Sequence, residues 1–86
     1  MKLEGRIFSA NLLISQDLVE WPATGERFVK QLERGLIELC HRLNSPIPLW
    51  MEKNTREFAR FHQTLFFAEQ FTEPIRFDRL QIRWLD

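Results

Sequence analysis

The chain has one cysteine, no tyrosine, three glycines and no excess of charge of either sign. Each scarcity closes a line of explanation. A lone thiol, Cys40, makes no intramolecular disulfide and builds no cysteine zinc cluster. Twelve basic and twelve acidic residues cancel, whereas nucleic-acid binders carry a basic excess, so nucleic acid is a disfavoured partner. No apolar run is long enough for a membrane-spanning helix. The first residues, MKLEGRIFSANLLI, lack a positive leader followed by a long apolar core, and a cytoplasmic location is expected. With three Gly and four Pro in 86 residues, little of the chain suits a flexible linker. One domain, residues 1–86, is expected.

What the chain has in excess is large rings, eight Phe and three Trp. A domain of this size buries somewhat more than about 60% of the surface its unfolded chain exposes. Some rings are therefore expected to line a groove or an interface. Nine of the twelve basic residues are Arg, the side chain suited to planar ion pairs and stacking. Aromatics and Arg are both enriched where proteins meet.

Residues 2–8 alternate Leu3, Gly5, Ile7 against Lys2, Glu4, Arg6, Phe8, a strand pattern. A second strand lies within 11–21, with the turn at either Ala10–Asn11 or Gln16–Asp17. The spacing of Phe28, Leu32, Gly35, Leu36, Leu39, Cys40 and Leu43 predicts one long helix over about 24–44. Thr24 would cap it, and Asn44 with Pro46 would stop it. Glu26–Lys30 and Glu38–Arg42 are spaced for ion pairs. Gly35 costs a helix about 1 kcal/mol relative to Ala; its place on the apolar face points to close approach to a sheet. Ile47, Leu49 and Met51 alternate as a short edge strand beside Pro46 and Pro48. Asn54 and Glu57 stand at the spacing of a structural cap and its return partner, opening a short helix over about 54–62. Phe58, Ala59, Phe61 and His62 are expected to include its core-facing side. Residues 64–71 either continue that helix or form a strand, with strand then turn the preferred reading. Leu80, Ile82 and Trp84 define a last strand. Ile75 and Phe77 keep the opposite phase, a slip at Asp78–Arg79 that reads as a β-bulge. The expected fold is α+β: a two-layer sandwich of a mixed or antiparallel sheet of four to five strands, packed on the long helix plus the short one.

The runs LWMEKNTREFARFHQTLFFAEQF and EPIRFDRLQIRWLD resemble small uncharacterised proteins of bacterial genomes, Firmicutes especially. Trp50, Asn54, Glu57–Phe58, Thr64, Phe66, Phe71, Glu73, Phe77–Asp78 and Ile82 carry the likeness, over roughly residues 49–86. It implies a small bacterial cytoplasmic domain and brings no activity, cofactor or partner with it.

Residues able to do chemistry are scattered. His41 and His62 have no metal-ligand spacing to other donors. Cys40 falls on the apolar helix face as a small hydrophobe. Glu73 and Asp78 are five residues apart across a Pro, with no fixed separation. No catalytic residue, metal site or cofactor is expected. The candidate binding surface is an Arg–aromatic platform of Trp50, Arg56, Arg60, Arg76, Arg79 and Arg83, which would stack bases if these groups met. The first expectation is a non-enzymatic interaction protein that binds itself or another protein. A single-stranded nucleic-acid module is the second, and a minor enzyme or small-ligand binder the third.

Overall fold

In the computed structural model, which describes residues 1–86, the chain ends meet in the middle of one sheet. Strand β1 (Lys2–Ser9) turns into β2 (Leu12–Glu20); helix α1 (Phe28–Arg42) and helix α2 (Glu52–Phe61) follow. Strand β3 (Gln63–Phe67), a 3-10 turn (Ala68–Gln70) and β4 (Arg79–Trp84) complete the chain. The four strands lie in the order β2-β1-β4-β3, every pair antiparallel. The expected α+β two-layer architecture holds. No parallel pair exists, so the sheet is antiparallel rather than mixed, and four-stranded.

The hairpin turn falls at Ala10–Asn11, whose φ angles of 50° and 64° are those of a type I′ turn. The register shift sits between Ile7 and Phe8 on β1 against β2, not at Asp78–Arg79. The phase change before β4 has another cause. Ile75 and Phe77 precede the strand and pack against the core from a loop, so they owe the strand's alternation nothing.

Helix α1 starts four residues later than the expected 24. The Thr24 hydroxyl accepts from the Glu26 N–H, and the buried Gln31 amide donates to the Glu26 carbonyl. Those bonds hold residues 24–26 as a turn, and Arg27 occupies the cap position without a side-chain bond. Glu26 pairs with Arg34 at 2.5 Å rather than with Lys30, while Glu38–Arg42 forms as expected at 3.1 Å. At the other end Asn44 takes φ 56°, Ser45 N–H reaches Cys40 O and Asn44 N–H reaches His41 O, a complete Schellman stop.

One face of the sheet carries Leu3, Gly5, Ile7, Val19, Phe66, Leu80 and Ile82 against both helices. Glycine decides how closely α1 can lie. A Cβ on Gly5 would come within 2.7 Å of Leu39, and one on Gly35 within 2.7 Å of the Trp21 ring. The helix rests directly on β1 at the first, and the indole following β2 lies on the helix at the second. Apart from Phe28, every residue assigned to the apolar face of α1 is buried.

Residues Ser45–Met51 form no strand. Two prolines remove donors, and the segment crosses over the helix layer instead, held by Leu49 N–H to Gln70 O at 2.7 Å. Helix α2 begins two residues before Asn54 and ends at Phe61. His62 then takes φ 57° and reverses the chain into β3. That reversal turns Phe61 outward, 58% exposed beneath the Arg60 guanidinium, and leaves Ala59 and His62 exposed as well. Phe58 alone of the expected four is core. The segment after it is strand then turn, as expected.

Two outcomes follow from this packing. Phe58→Ala should cost about 3–5 kcal/mol in chemical denaturation, whereas Phe61→Ala should stay within about 1 kcal/mol of the parent. Burial raises the Cys40 thiol from 9.0 to about 11, with a Ser45 hydrogen bond pulling the other way. The folded thiol thus stays neutral where the unfolded one ionises. Its contribution to stability is intact below pH 9 and is lost as pH rises toward 11. Denaturation midpoints across that range should fall less steeply for Cys40→Ala than for the parent.

Candidate functional site

The segment before α2 is tied down by a buried polar cluster. Asn54 and Gln70 are 0% exposed and Thr64 is 2% exposed. Asn54 Oδ1 accepts from the Met51 N–H and from Gln70 Nε2, each at 2.9 Å. Asn54 Nδ2 donates to Thr64 Oγ1 at 2.8 Å and to the Leu65 carbonyl at 3.1 Å. The Thr64 hydroxyl in turn donates a hydrogen bond to Glu57 Oε1 at 2.5 Å. Gln70 Nε2 also donates to the Leu49 carbonyl, and Gln70 Oε1 accepts from the Phe67 N–H. Every donor and acceptor group of the two amides has a partner, the condition under which such a network rigidifies a core.

Asn54 is therefore a cap by another geometry. It sits at the third position of α2 and reaches back to Met51. Glu57 does not return to the Asn54 N–H. It takes the Thr64 hydroxyl, because β3 passes within reach of that helix face.

The clasp holds residues 49–51 away from α1, and the space between is an apolar groove of about 610 Å³. One wall is α1, with Phe28, Val29, Leu32, Glu33, Leu36 and Ile37. The other is Ile47–Trp50 together with Thr55, Phe58 and Ala59 of α2. Trp50 donates to Thr55 Oγ1 at 2.8 Å and packs edge-on to Phe58, with centroids 5.9 Å apart. Phe28 packs against Trp84 with the rings tilted by 51° and centroids 4.6 Å apart. The exposed large apolar side chains Phe28, Val29, Ile37, Ile47, Leu49 and Trp50 all meet here. A second concavity of about 390 Å³ beside Trp21 is lined by the pairs Arg34–Glu26 and Arg42–Glu38 and by the unpaired Glu20.

The Arg–aromatic platform is not assembled. Trp50 lies in the helix layer against Phe58 and Phe66. Arg79 and Arg83 alternate with the buried Leu80 and Ile82, so they stand on the opposite, open face of the sheet. There Arg83 pairs with Glu4 at 3.3 Å, and Arg79 lies 4.5 Å over Phe8 and bonds Asn11. Arg6 Nε approaches Glu4 to 3.1 Å without hydrogen-bond geometry. Arg56 pairs with Glu52, Arg60 covers Phe61, and Arg76 is exposed in the loop before β4. His41 and His62 are exposed on separate elements.

The groove was missed because the apolar stripe of α1 was read only for its buried face. Val29 and Ile37 are eight residues apart, two turns, and lie beside that stripe. They widen it beyond what covering the sheet requires, which was the available signal.

No protein-family model, curated protein or solved structure matches the chain.

Asn54→Ala should cost about 3 kcal/mol, well above the ~1 kcal/mol of an ordinary cap, because it strands Gln70 and Thr64 in the interior. Urea denaturation of Asn54→Ala beside Thr55→Ala separates the two magnitudes.

Proposed function

We propose that the chain is a non-catalytic protein-interaction module, and that the groove between α1 and the Ile47–Ala59 wall is the surface it offers. One observation carries this reading: six of the exposed large apolar side chains, Phe28, Val29 and Ile37 of α1 with Ile47, Leu49 and Trp50, line a single concavity. Contiguous exposed apolar surface rimmed by polar residues is characteristic of interaction sites. Two helices flanking an open apolar trough suit a partner that supplies its own apolar helix face. The volume also lies in the range of small-ligand pockets, so a small apolar ligand is the competing occupant. A cytoplasmic setting and a bacterial origin belong to the same proposal, on the sequence patterns given above.

Amphipathic helical peptides, titrated while the tryptophan fluorescence is followed, test the reading. Binding in the micromolar range is expected, weakened at least about tenfold by Ile37→Asp, with the denaturation midpoint unchanged. Peptides that ignore this substitution would place the surface elsewhere.

The nucleic-acid alternative leans on Arg79 and Arg83. Their engagement with Phe8, Asn11 and Glu4, together with zero net charge, leaves little counterion release to drive binding. Oligonucleotide binding at physiological salt should be weaker than micromolar. A sub-micromolar complex abolished by Arg79→Ala with Arg83→Ala would reverse the ranking.

A further inference from the structure

Resting on the groove reading, we infer that the partner is a basic amphipathic helix, one that lays its apolar face in the trough and sets a Lys or Arg against Glu33. Among the residues lining the groove, Glu33 is the single ionisable one. It lies midway along the α1 wall, four residues after Val29 and four before Ile37, so its carboxylate stands one turn from an exposed apolar side chain on either side.

Some of the charges nearby are already matched, though Arg27 and Lys30 on α1 are in no ion pair. On α2, Arg56 pairs with Glu52 at 3.3 Å. On the far side of α1, Arg34 pairs with Glu26 and Arg42 with Glu38. Glu33 takes part in none of the chain's ion pairs, and Lys30, one turn before it, makes none with it. A neutral or acidic segment seated in the trough would cover this carboxylate without a partner, and an uncompensated charge under apolar cover is costly. A cation on the partner removes that cost and fixes the register of the bound helix.

The dimensions agree with a helix. Phe28 to Ile37 spans nine residue steps, about 13–14 Å of helix rise. A partner helix presenting anchors at i, i+4 and i+7 covers about 10–11 Å. Three anchors fit along the wall, with one flanking position left opposite Glu33.

The test uses helical peptides of one amphipathic sequence that differ at a single boundary position, Lys, Gln or Glu, scanned through three registers. Binding is read by anisotropy of a labelled peptide. In the best register the Lys peptide should bind about fivefold or more tightly than the Gln peptide, and the Glu peptide more weakly than either. Glu33→Gln should erase these differences and Glu33→Lys should invert them, both with unchanged denaturation midpoints because the residue is exposed. Equal binding of all three peptides, still lost in Ile37→Asp, overturns the cation inference and leaves the groove reading standing. Absence of binding by any peptide, or binding indifferent to Ile37→Asp, overturns both. Light scattering is the remaining arm: a dimer that Ile37→Asp dissociates makes a second copy the occupant and overturns the inference.

Discussion

The side chain on which the rest of the structure depends is the amide of Asn54. Four hydrogen bonds join this α2 side chain to β3 (two), the 3-10 turn and Met51 before α2. It fixes where α2 starts and how α2 meets β3. Through Gln70 it also fixes the path of Leu49. An apolar residue of the same size would fill the space, but it would not set the orientation of the crossing segment. Because a partly satisfied polar cluster is worse than none, alternative placements of this segment are penalised together. The groove wall is thus held by a core interaction, so the trough is open without being loose.

The same cluster occupies part of the sheet's β3 edge. In an antiparallel pair, alternate residues of an edge strand aim their N–H and C=O away from the sheet. On β3 the hydrogen bond from Trp84 N–H to His62 O sets the phase, which makes Leu65 and Phe67 outward-facing. Asn54 takes the Leu65 carbonyl and Gln70 takes the Phe67 N–H. On β2 the phase set by Met1 and Trp21 makes Leu18 outward-facing. Its N–H is held by the adjacent Asp17 carboxylate and its carbonyl by Arg42. These bonds cover one outward-facing residue of β2 and part of two on β3, and they leave the exposed Leu12, Leu13 and Ile14 end of β2 without such cover.

How far the sequence could be read varied with the range of the interactions involved. The β1 alternation, the buried face of α1, the Asn44 stop and the strand after α2 were legible, because each depends on local periodicity or on one residue's backbone preference. The start of α1 was not, since Gln31 pulls the Glu26 carbonyl into a turn across five residues. The role of Asn54 was half legible. Its spacing to Glu57 marks a helix start, but Thr64, Leu65 and Gln70 are ten to sixteen residues away, and no local pattern announces them. The strand expected in Ile47–Met51 failed for a related reason. Alternation over three residues does not distinguish a strand from an extended segment laid across a helix. The platform of arginines failed because alternation tells which residues of β4 share a face, but not that Trp50 lies on the other side of the sheet.

The groove divides into a structural floor and a free rim. Leu32, Leu36 and Phe58 are buried in the core and also face the trough. Val29, Glu33, Ile37, Ile47 and Leu49 are exposed and line it without being needed to cover the sheet. On the interaction-module proposal, a floor built from core residues offers a partner a preformed surface, with little of the association free energy going into ordering it, and the rim discriminates among partners. Four of those five rim residues are apolar and one is a carboxylate, a composition in which the single charge discriminates among partners of equal apolar fit. Stability and recognition therefore rest on different residues of one concavity, and substitutions on the rim can change what binds while leaving the fold as it is.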